Sequence, residues 1–165
     1  MRVGIGYDVH ALAAGRKLII GGAEIPWHRG LGGHSDADVL AHAIIDALLG
    51  AAALGDIGTH FPDTDAQYEN ISSLELLGRA RELLREQGWH IGNIDATVLA
   101  QRPLFQPFIG QMRQNISRAL AISESQVGIK ATTGEGLGFA GREEGIAAWA
   151  VALVEKYGGK TDESF

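Results

Sequence analysis

The apolar residues of this chain recur with two different periods, and the order in which these periods alternate limits the folds that the chain can adopt. Alternation with a period of two predicts strands, and spacing near 3.6 predicts amphipathic helices. The predicted order is β-β-α-α-β-α-β, with strands over residues 2–10, 17–21, 91–100 and 127–131 and helices that begin near Ser35, Ser72 and Phe108. This order predicts an α+β fold, a mixed four-stranded sheet with helices packed on one face.

Shorter signals mark the boundaries of these elements. Ser35 with Asp38, and Ser72 with Glu75, have the spacing of capping boxes. The remaining assignments are a turn at 13–16 that pairs the first two strands, a mobile loop at 27–33, a helix end at Gly55 and a loop at 55–68. The segment 145–157 is apolar on every face, so a central strand and a buried helix both fit it.

Length and composition narrow the class of protein. At 165 residues we predict one domain over 1–157, followed by a polar C-terminal tail at 158–165. The chain has no cysteine, so histidines and carboxylates would have to hold any metal. A net charge of −6 argues against nucleic acid as a partner. Neither a secretory signal nor an 18-residue apolar stretch is evident, which predicts a cytoplasmic protein without a membrane partner.

Asp8 and His10 are the first candidates for metal ligands. They lie two residues apart on a predicted strand, so both side chains leave the same face. His42 lies on the first predicted helix, with Asp38 and Asp46 one turn away on either side, where a carboxylate would fix the imidazole tautomer. Asp8, His10 and His42 would form a three-ligand site with an open fourth position, as in catalytic zinc sites. The alternatives are a polar strand face and a buried histidine satisfied by an aspartate.

A glycine-rich segment, 132–142, follows the last predicted strand. Its glycines permit positive φ angles and leave backbone N–H groups free to converge on an anion, and Thr132, Thr133 and Arg142 add donors. Glu135 suits such a cradle if Mg²⁺ bridges it to phosphate oxygens. The segment lacks the G-K-[ST] ending of a Walker A motif, and a flexible hairpin loop is the alternative.

A third group of polar residues comprises the segment 55–65 and the loop 34–36. Three aspartates fall within ten residues of the first segment, at Asp56, Asp63 and Asp65. They lack the spacing and the final glutamate of an EF-hand, so sugar hydroxyls are the better partners. A solvated loop rich in aspartate turns is the alternative.

Taken together, the three groups closely resemble the 2-C-methyl-D-erythritol 2,4-cyclodiphosphate synthase family, over Met1 to about Tyr157. The motifs that carry the resemblance are Gly6-Tyr7-Asp8-Val9-His10, His34-Ser35-Asp36-Ala37-Asp38, His42, Asp46-Ala47-Leu48-Leu49-Gly50, Gly55-Asp56-Ile57-Gly58, Phe61-Pro62-Asp63-Thr64-Asp65, Ala100-Gln101, Lys130-Ala131-Thr132-Thr133 and Gly138-Phe139. It implies a homotrimer with active sites between subunits. It also implies that 144–157 is a long strand.

The resemblance implies a zinc- and magnesium-dependent cyclase. Asp8, His10 and His42 would hold Zn²⁺, and Glu135 would help to place Mg²⁺ or Mn²⁺ on the substrate diphosphate. The substrate would be 4-diphosphocytidyl-2-C-methyl-D-erythritol 2-phosphate, which would close to the cyclic diphosphate with release of CMP. An isoprenoid diphosphate would be a possible ligand on the trimer axis. Two other functions stay open: a metal-binding trimer that captures an isoprenoid diphosphate, and a metallophosphohydrolase.

The resemblance also assigns roles to individual residues. His34 and Thr133 would stabilise the transition state. The substrate-binding residues would be Asp8, His10, His34, Ser35, Asp56, Ile57, Gly58, Phe61, Pro62, Asp63, Thr64, Asp65, Ala100, Gln101, Arg102, Pro103, Leu104, Phe105, Gln106, Thr132, Thr133, Gly134, Glu135, Phe139 and Arg142. Leu104 and Gly136 depart from the family pattern, which commonly has lysine at both positions, so two positive charges near the nucleotide are missing.

Overall fold

The computed structural model of this chain describes residues 1–156, and the predicted polar tail at 158–165 lies outside the described residues. The strands are β1 (Arg2–Ala14), β2 (Leu18–Ile20), β3 (Ala23–Ile25), β4 (Arg29–Leu31), β5 (Trp89–Leu99), β6 (Val127–Thr132) and β7 (Gly145–Lys156). The helices are α1 (Val39–Ala52), α2 (Ile57–His60), α3 (Ser73–Glu86), α4 (Ile109–Leu120) and α5 (Gly138–Gly141). Over residues 1–156, every helix is too short or too polar to cross a membrane.

Five strands form the main sheet, in the order β4-β1-β7-β5-β6. Strands β5 and β6 are parallel and the other neighbours are antiparallel, which confirms the predicted mixed sheet in an α+β fold. The predicted number of four strands is wrong. One strand that the prediction did not count is β4, which lies in the predicted mobile loop and pairs with the end of β1, Leu12 opposite Leu31. Three residues are too few for an alternating pattern to be recognised.

The partner predicted for the second strand is also wrong. Strand β2 pairs with β3, Leu18 opposite Ile25, in a separate two-stranded sheet, and it does not pair with β1. The turn of this hairpin is Gly21-Gly22, where both residues have positive φ angles of 57° and 67°. Positive φ costs glycine little, so these two residues let the chain reverse within a two-residue loop.

The last strand, β7, lies in the centre of the sheet between β1 and β5. This excludes the buried-helix alternative and confirms the strand implied by the family resemblance, as far as Lys156. Helix α1 covers one face of β7, while Trp149 and Val151 on the other face stay exposed in this chain, so burial within the chain explains the apolar residues of one face only. Helices α3 and α4 contact β5 and β6, so the helical layer continues across the sheet.

Helix α1 packs directly on the glycines of β1. A Cβ atom added at Gly6 would lie 2.0 Å from the Ala43 carbonyl oxygen, and one at Gly4 would lie 2.1 Å from the Ala47 carbonyl oxygen. No other residue has room at these two positions, because the obstructing atoms belong to the helix backbone. The side chains on this face of β1 continue, with a period of two, to Asp8 and His10.

The opposite face of β1 and β7 carries an apolar stripe that this chain alone leaves exposed. Its six side chains are 37–70% exposed: Val3, Ile5, Tyr7, Val9, Trp149 and Val151. The rings of Tyr7 and Trp149 contact each other with centroids 5.0 Å apart. Exposed apolar surfaces of this kind are typical of sites where another molecule binds.

The predicted capping boxes do not form. Asp38 is itself the N-cap of α1, and its carboxylate accepts from the backbone N–H groups of Leu40 and Ala41. Ser72 is the N-cap of α3, but its side chain makes no capping hydrogen bond. Helix α1 ends at Ala52, ahead of Gly55, and the predicted loop that follows contains the short helix α2.

Candidate functional site

Asp8 and His10 on β1 meet His42 in the first turn of α1. The Asp8 Oδ2 atom lies 2.9 Å from His10 Nε2 and 3.1 Å from His42 Nδ1, and the two ring nitrogens are 3.2 Å apart. All three residues are partly buried. They can hold one metal ion between them, which confirms that the predicted set of ligands comes together.

The glycine face of β1 explains why these three side chains converge. Because Gly4 and Gly6 let α1 lie against the strand, the first turn of the helix lies over Asp8 and His10. His42 precedes Ala43, whose carbonyl faces Gly6. A larger residue at Gly6 would therefore move the helix backbone next to His42, a candidate metal ligand.

The charges of the three groups stabilise one another in the absence of metal. Burial opposes ionisation of Asp8, but hydrogen bonds from His10 and His42 and their charges hold the pKa of Asp8 well below its usual range. Burial also opposes charge on His10, yet the Asp8 carboxylate raises the pKa of His10 above its ordinary value. The pocket thus favours positive charge beside Asp8, which a metal dication would supply in place of a proton.

Each histidine uses its second ring nitrogen outside the ligand cluster. His10 Nδ1 donates to the Gly32 carbonyl oxygen at 2.6 Å, which leaves Nε2 free to bind a metal. His42 Nε2 lies 2.9 Å from Ser73 Oγ and 3.2 Å from Ser35 Oγ. The contacts of His10 Nδ1 and His42 Nε2 therefore orient the two rings, so that His10 Nε2 and His42 Nδ1 face the ligand cluster.

The prediction that Asp38 or Asp46 fixes the His42 tautomer is wrong. The carboxylate of Asp46 accepts from the Ile57 N–H at 2.7 Å, at the start of α2. The carboxylate of Asp38 is turned toward the hairpin, where it accepts from the N–H groups of Gly21 at 2.9 Å and Gly22 at 2.7 Å. Helical spacing predicted proximity to His42, but backbone donors on other elements bind both carboxylates.

Asp38 is fully buried and joins the β2–β3 turn to the start of α1. Burial and the nearby Asp36 charge raise the pKa of Asp38 to about 6, against the lowering effect of its amide hydrogen bonds. A carboxyl whose pKa is higher in the folded state contributes stability that is complete below its unfolded value of 3.8. That contribution is lost as the pH rises through 6.

We expect Asp38→Asn to destabilise the protein by about 1–3 kcal/mol, because an amide nitrogen would face buried N–H donors. The difference in the free energy of unfolding between the wild type and the variant should become smaller as the pH rises from 4.5 to 7.5. Only the wild type loses the stabilising contribution of the Asp38 carboxyl. Urea unfolding of both metal-free proteins at the two pH values measures this difference. A difference in the free energy of unfolding that grows toward pH 7.5 would contradict the raised pKa of Asp38.

The ligand cluster opens into a cavity of about 400 Å³. This cavity brings the first and third predicted groups together. The predicted residues that line it are Asp8, His10, His34, Ser35, His42, Ile57, Gly58, Phe61, Pro62 and Asp63. Gly33, Tyr68 and Leu76 also line it and were missed, because nothing in their local sequence distinguishes them. A larger cavity of about 570 Å³, between α3 and β5, is lined by other residues, including Arg81 and Trp89.

Two predicted aspartates bind backbone or neighbouring side-chain groups beside the cavity. Asp56 caps α2 by accepting from the Thr59 N–H and hydroxyl, both at 2.8 Å. Asp65 accepts from the Gln67 N–H at 3.0 Å. Within residues 1–156 neither Asp56, Thr64 nor Asp65 lines the cavity.

The loop that carries His34 is held by a residue that the sequence did not single out. The Arg16 guanidinium donates to the carbonyl oxygens of Gly33 at 2.9 Å and Ser35 at 2.6 Å, on either side of His34. His34 Nε2 in turn lies 3.2 Å from the Asp65 carbonyl oxygen. Two bonds from one rigid planar group fix the backbone around His34.

The second predicted group forms a separate cluster. Loops 100–106 and 132–142 are adjacent, since Ala100 N donates to Thr132 O at 3.1 Å and Gly136 N donates to Gln101 Oε1 at 3.2 Å. The Thr133 hydroxyl donates to the exposed Glu135 carboxylate. In the described part of one chain, none of these residues lines the cavity at Asp8.

Side chains within this second cluster differ in what they offer a ligand. Arg142 donates to both carboxylate oxygens of Glu144 at 2.9 Å, and Leu104 is 75% exposed. Phe105 is buried in the core, so its side chain does not face solvent. The remaining predicted residues of the cluster are Arg102, Pro103, Gln106, Gly134 and Phe139, and they lie along the same two loops.

A mixed sheet covered by helices, with an Asp-His-His group that could hold a metal ion beside a cavity, defines an α+β protein with a candidate metal site. The model of the family described as "YgbB family" matches residues 1–155. The chain belongs to this family.

Several relatives match almost the whole chain. The 2-C-methyl-D-erythritol 2,4-cyclodiphosphate synthase of Syntrophomonas wolfei is 64% identical over 156 residues, 94% of this chain and 99% of its own length. The synthase of the same name from Pelotomaculum thermopropionicum is 61% identical over 158 residues, 96% of this chain and 98% of its own.

Solved structures share the fold. The bifunctional IspDF of Campylobacter jejuni is 44% identical with a TM-score of 0.91, and the match covers 94% of this chain but only 42% of that longer one. The CDP complex of IspF from Plasmodium falciparum is 35% identical with a TM-score of 0.82, over 94% of this chain and 96% of the other.

Proposed function

We propose that this chain converts 4-diphosphocytidyl-2-C-methyl-D-erythritol 2-phosphate to 2-C-methyl-D-erythritol 2,4-cyclodiphosphate and CMP. The observation that carries the proposal is the Asp8, His10 and His42 cluster at the mouth of a cavity lined by His34, Ser35 and Asp63. Relatives named for this activity are up to 64% identical over nearly the full chain. The cytoplasmic location stays a prediction.

The reaction is an intramolecular displacement. An oxygen of the 2-phosphate attacks the β-phosphorus, the bond from that phosphorus to the oxygen bridging it to the α-phosphorus breaks, and CMP leaves with this oxygen. Both reacting phosphates belong to one molecule, so the protein needs no nucleophile of its own. Its contribution is to fold the substrate with attacking and leaving oxygens in line and to stabilise the charge that spreads over the phosphoryl group.

Two metal sites fit the residues present. The imidazoles of His10 and His42 with the Asp8 carboxylate are a donor set that zinc prefers, and their second nitrogens already have partners. Glu135 is an exposed carboxylate, which suits Mg²⁺ or Mn²⁺ beside phosphate oxygens, although the N–H groups of Glu135, Gly136 and Leu137 already have partners within the protein. When bound, these ions supply positive charge to the phosphate oxygens, which offsets the acidity of the chain.

The chain's own residues position the substrate. His34 lines the cavity on the loop that Arg16 holds, and we assign it the stabilisation of phosphate charge in the transition state. We assign Thr133 the same role from the second cluster. Ser35, Phe61, Asp63 and Asp65 would contact the erythritol and phosphate region.

The remaining contacts are assigned to the nucleotide. Asp56 and Gly58 would meet the ribose, and the loop 100–106 with Thr132 would frame the cytosine. Leu104 and Gly136 bring no charge to this region, so we assign the cytosine contacts mainly to backbone groups.

We propose a homotrimer with each active site between two subunits. Two features support it: the exposed apolar stripe of β1 and β7, and the separation of the Asp8 cavity from the Thr133 cluster within one chain. A neighbouring subunit that supplied the second cluster would complete the site. The apolar stripe would also give the hydrocarbon chain of an isoprenoid diphosphate a surface to contact near the trimer axis.

The test is to incubate the protein with the diphosphocytidyl substrate, Zn²⁺ and Mg²⁺, and to follow CMP and the second product by chromatography and mass spectrometry. We expect equal amounts of CMP and the cyclic diphosphate, and no CMP after treatment with a chelator. A product heavier by one water would instead indicate a metallophosphohydrolase. Absence of CMP would contradict catalysis, and binding of an isoprenoid diphosphate without it would favour the binding-module alternative.

A further inference from the structure

Ser73 contacts His42, a proposed metal ligand, at the imidazole nitrogen Nε2, which is not the nitrogen that faces Asp8 and His10. It is the first residue of α3 and is fully buried. Its hydroxyl oxygen lies 2.9 Å from His42 Nε2 and is hydrogen-bonded to the carboxylate of Asp36. The second oxygen of Asp36 accepts from the Ser73 backbone N–H at 3.0 Å, so two bonds join Asp36 to Ser73.

The hydrogen bonds in this series of groups take a defined direction once His42 binds a metal through Nδ1. An ionised carboxylate only accepts hydrogen bonds, so the Ser73 hydroxyl must donate to Asp36. The lone pairs of Ser73 Oγ are then left to accept, either from the His42 Nε2–H at 2.9 Å or from the Ser35 hydroxyl, whose oxygen is 3.4 Å away. When a metal binds His42 Nδ1 in place of the proton shared with Asp8, the remaining ring proton lies on Nε2 and faces Ser73.

Other polar groups near His42 are already engaged. Asp38 and Asp46 bind backbone N–H groups of the hairpin and of α2. Ser35 Oγ is farther from His42 Nε2, at 3.2 Å, and already accepts from the Ala37 N–H at 3.1 Å. Ser73 is therefore the better-placed acceptor for the His42 proton.

We propose that Ser73 and Asp36 are positioning residues of the metal site, which fix the tautomer and ring orientation of His42 through the series Asp36, Ser73, His42. The inference rests on the proposed role of Asp8, His10 and His42 as metal ligands and extends it to residues that touch neither metal nor substrate. Ser73 belongs to α3 and His42 to α1, so the packing of α3 against α1 would also affect metal affinity.

The first experiment measures Zn²⁺ affinity of the metal-free protein, without substrate, by competition with a chromophoric chelator. Ser73→Ala should weaken zinc binding about 10–100-fold, the usual cost of removing a group that orients a metal ligand. Ser72→Ala is the matched control, because Ser72 is the adjacent exposed serine whose side chain makes no capping bond, and its affinity should stay within about twofold of wild type. A Ser73→Ala affinity within that same margin would overturn the proposal.

A double variant tests whether Asp36 acts on His42 through Ser73 or independently of it. We call the series Asp36, Ser73, His42 the relay. Asp36→Asn should weaken zinc binding in the wild-type background, and should weaken it by less than about threefold when added to Ser73→Ala, because Asp36 acts through the hydroxyl. Fully additive losses would contradict the relay. Thermal unfolding of each metal-free variant shows whether it is folded.

Histidine NMR of the zinc-loaded wild type tests the tautomer even if the variants fail to fold. We expect a proton on His42 Nε2 and none on Nδ1, and a protonated Nδ1 would overturn the proposal. Because zinc binding is measured without substrate, its outcome is separate from that of the cyclase assay. If the variants show the expected zinc affinities but the wild-type protein releases no CMP, the proposed reaction is refuted and the relay is still supported.

Discussion

Replacing His42 with alanine is expected to lower kcat/KM for CMP release by at least about 100-fold, a loss of about 2.7 kcal/mol or more in transition-state stabilisation. The substitution removes one of three ligand atoms that lie within about 3 Å of one another. Asp8 and His10 alone would hold a zinc ion weakly, because two protein ligands leave half of a tetrahedral site open. Metal content and CMP release should therefore fall together.

The control for this variant is His28→Ala. His28 is exposed and contacts Trp27 with tilted rings, and it does not line the cavity, so its loss should change CMP release by less than about twofold. Binding of an isoprenoid diphosphate should survive in His42→Ala if the trimer forms, because that ligand is assigned to the trimer axis. A His42→Ala protein with wild-type turnover and full zinc content would show that the Asp-His-His cluster is not the catalytic metal site.

Gly6→Ala is expected to have the largest effect on stability, about 3 kcal/mol or more in the free energy of unfolding. The new methyl group would lie 2.0 Å from the Ala43 carbonyl oxygen and 2.7 Å from the Ala47 nitrogen, where real Cβ contacts do not fall below 3.0 Å. Both obstructing atoms are backbone, so no side-chain rotation relieves the clash, and α1 must move away from β1. Urea unfolding of the metal-free protein gives the change.

The same displacement should weaken zinc binding, because it moves His42 relative to Asp8. Gly110→Ala is the matched control: Gly110 lies in α4 with open space around its added Cβ atom. There alanine should be neutral or stabilising by up to about 1 kcal/mol, as expected for a helical position. Equal unfolding midpoints for the Gly6→Ala and wild-type proteins would refute the close contact between α1 and β1.

Several features of the site could be predicted because they depend on neighbours in sequence. A period of two places Asp8 and His10 on one face of β1 wherever that strand lies. The α+β class, the helices and the long strands follow from periods sustained over many residues. Strand β4 could not be found in this way, because three residues carry no period and its pairing depends on β1.

The hydrogen-bond partners of His42 show most clearly what could not be predicted from the sequence. Helical spacing indicated Asp38 and Asp46, yet both carboxylates bind backbone donors that other elements bring to them. The group that faces His42 Nε2 is Ser73, 31 residues away on another helix. Such a hydrogen bond depends on how α3 packs against α1, which no local pattern encodes.

The sequence by itself determined the chemistry available to this protein. Without cysteine, a metal site had to use histidine and carboxylate, and the ordered series of motifs resembled one family that acts on phosphates. The tertiary structure decided which of these groups meet. Two glycines on β1 let α1 approach closely enough for His42 to reach Asp8, and the second polar cluster was left outside the cavity of the same chain. The reason is that side-chain chemistry is local, whereas the distance between ligands is set by backbone packing between segments far apart in sequence.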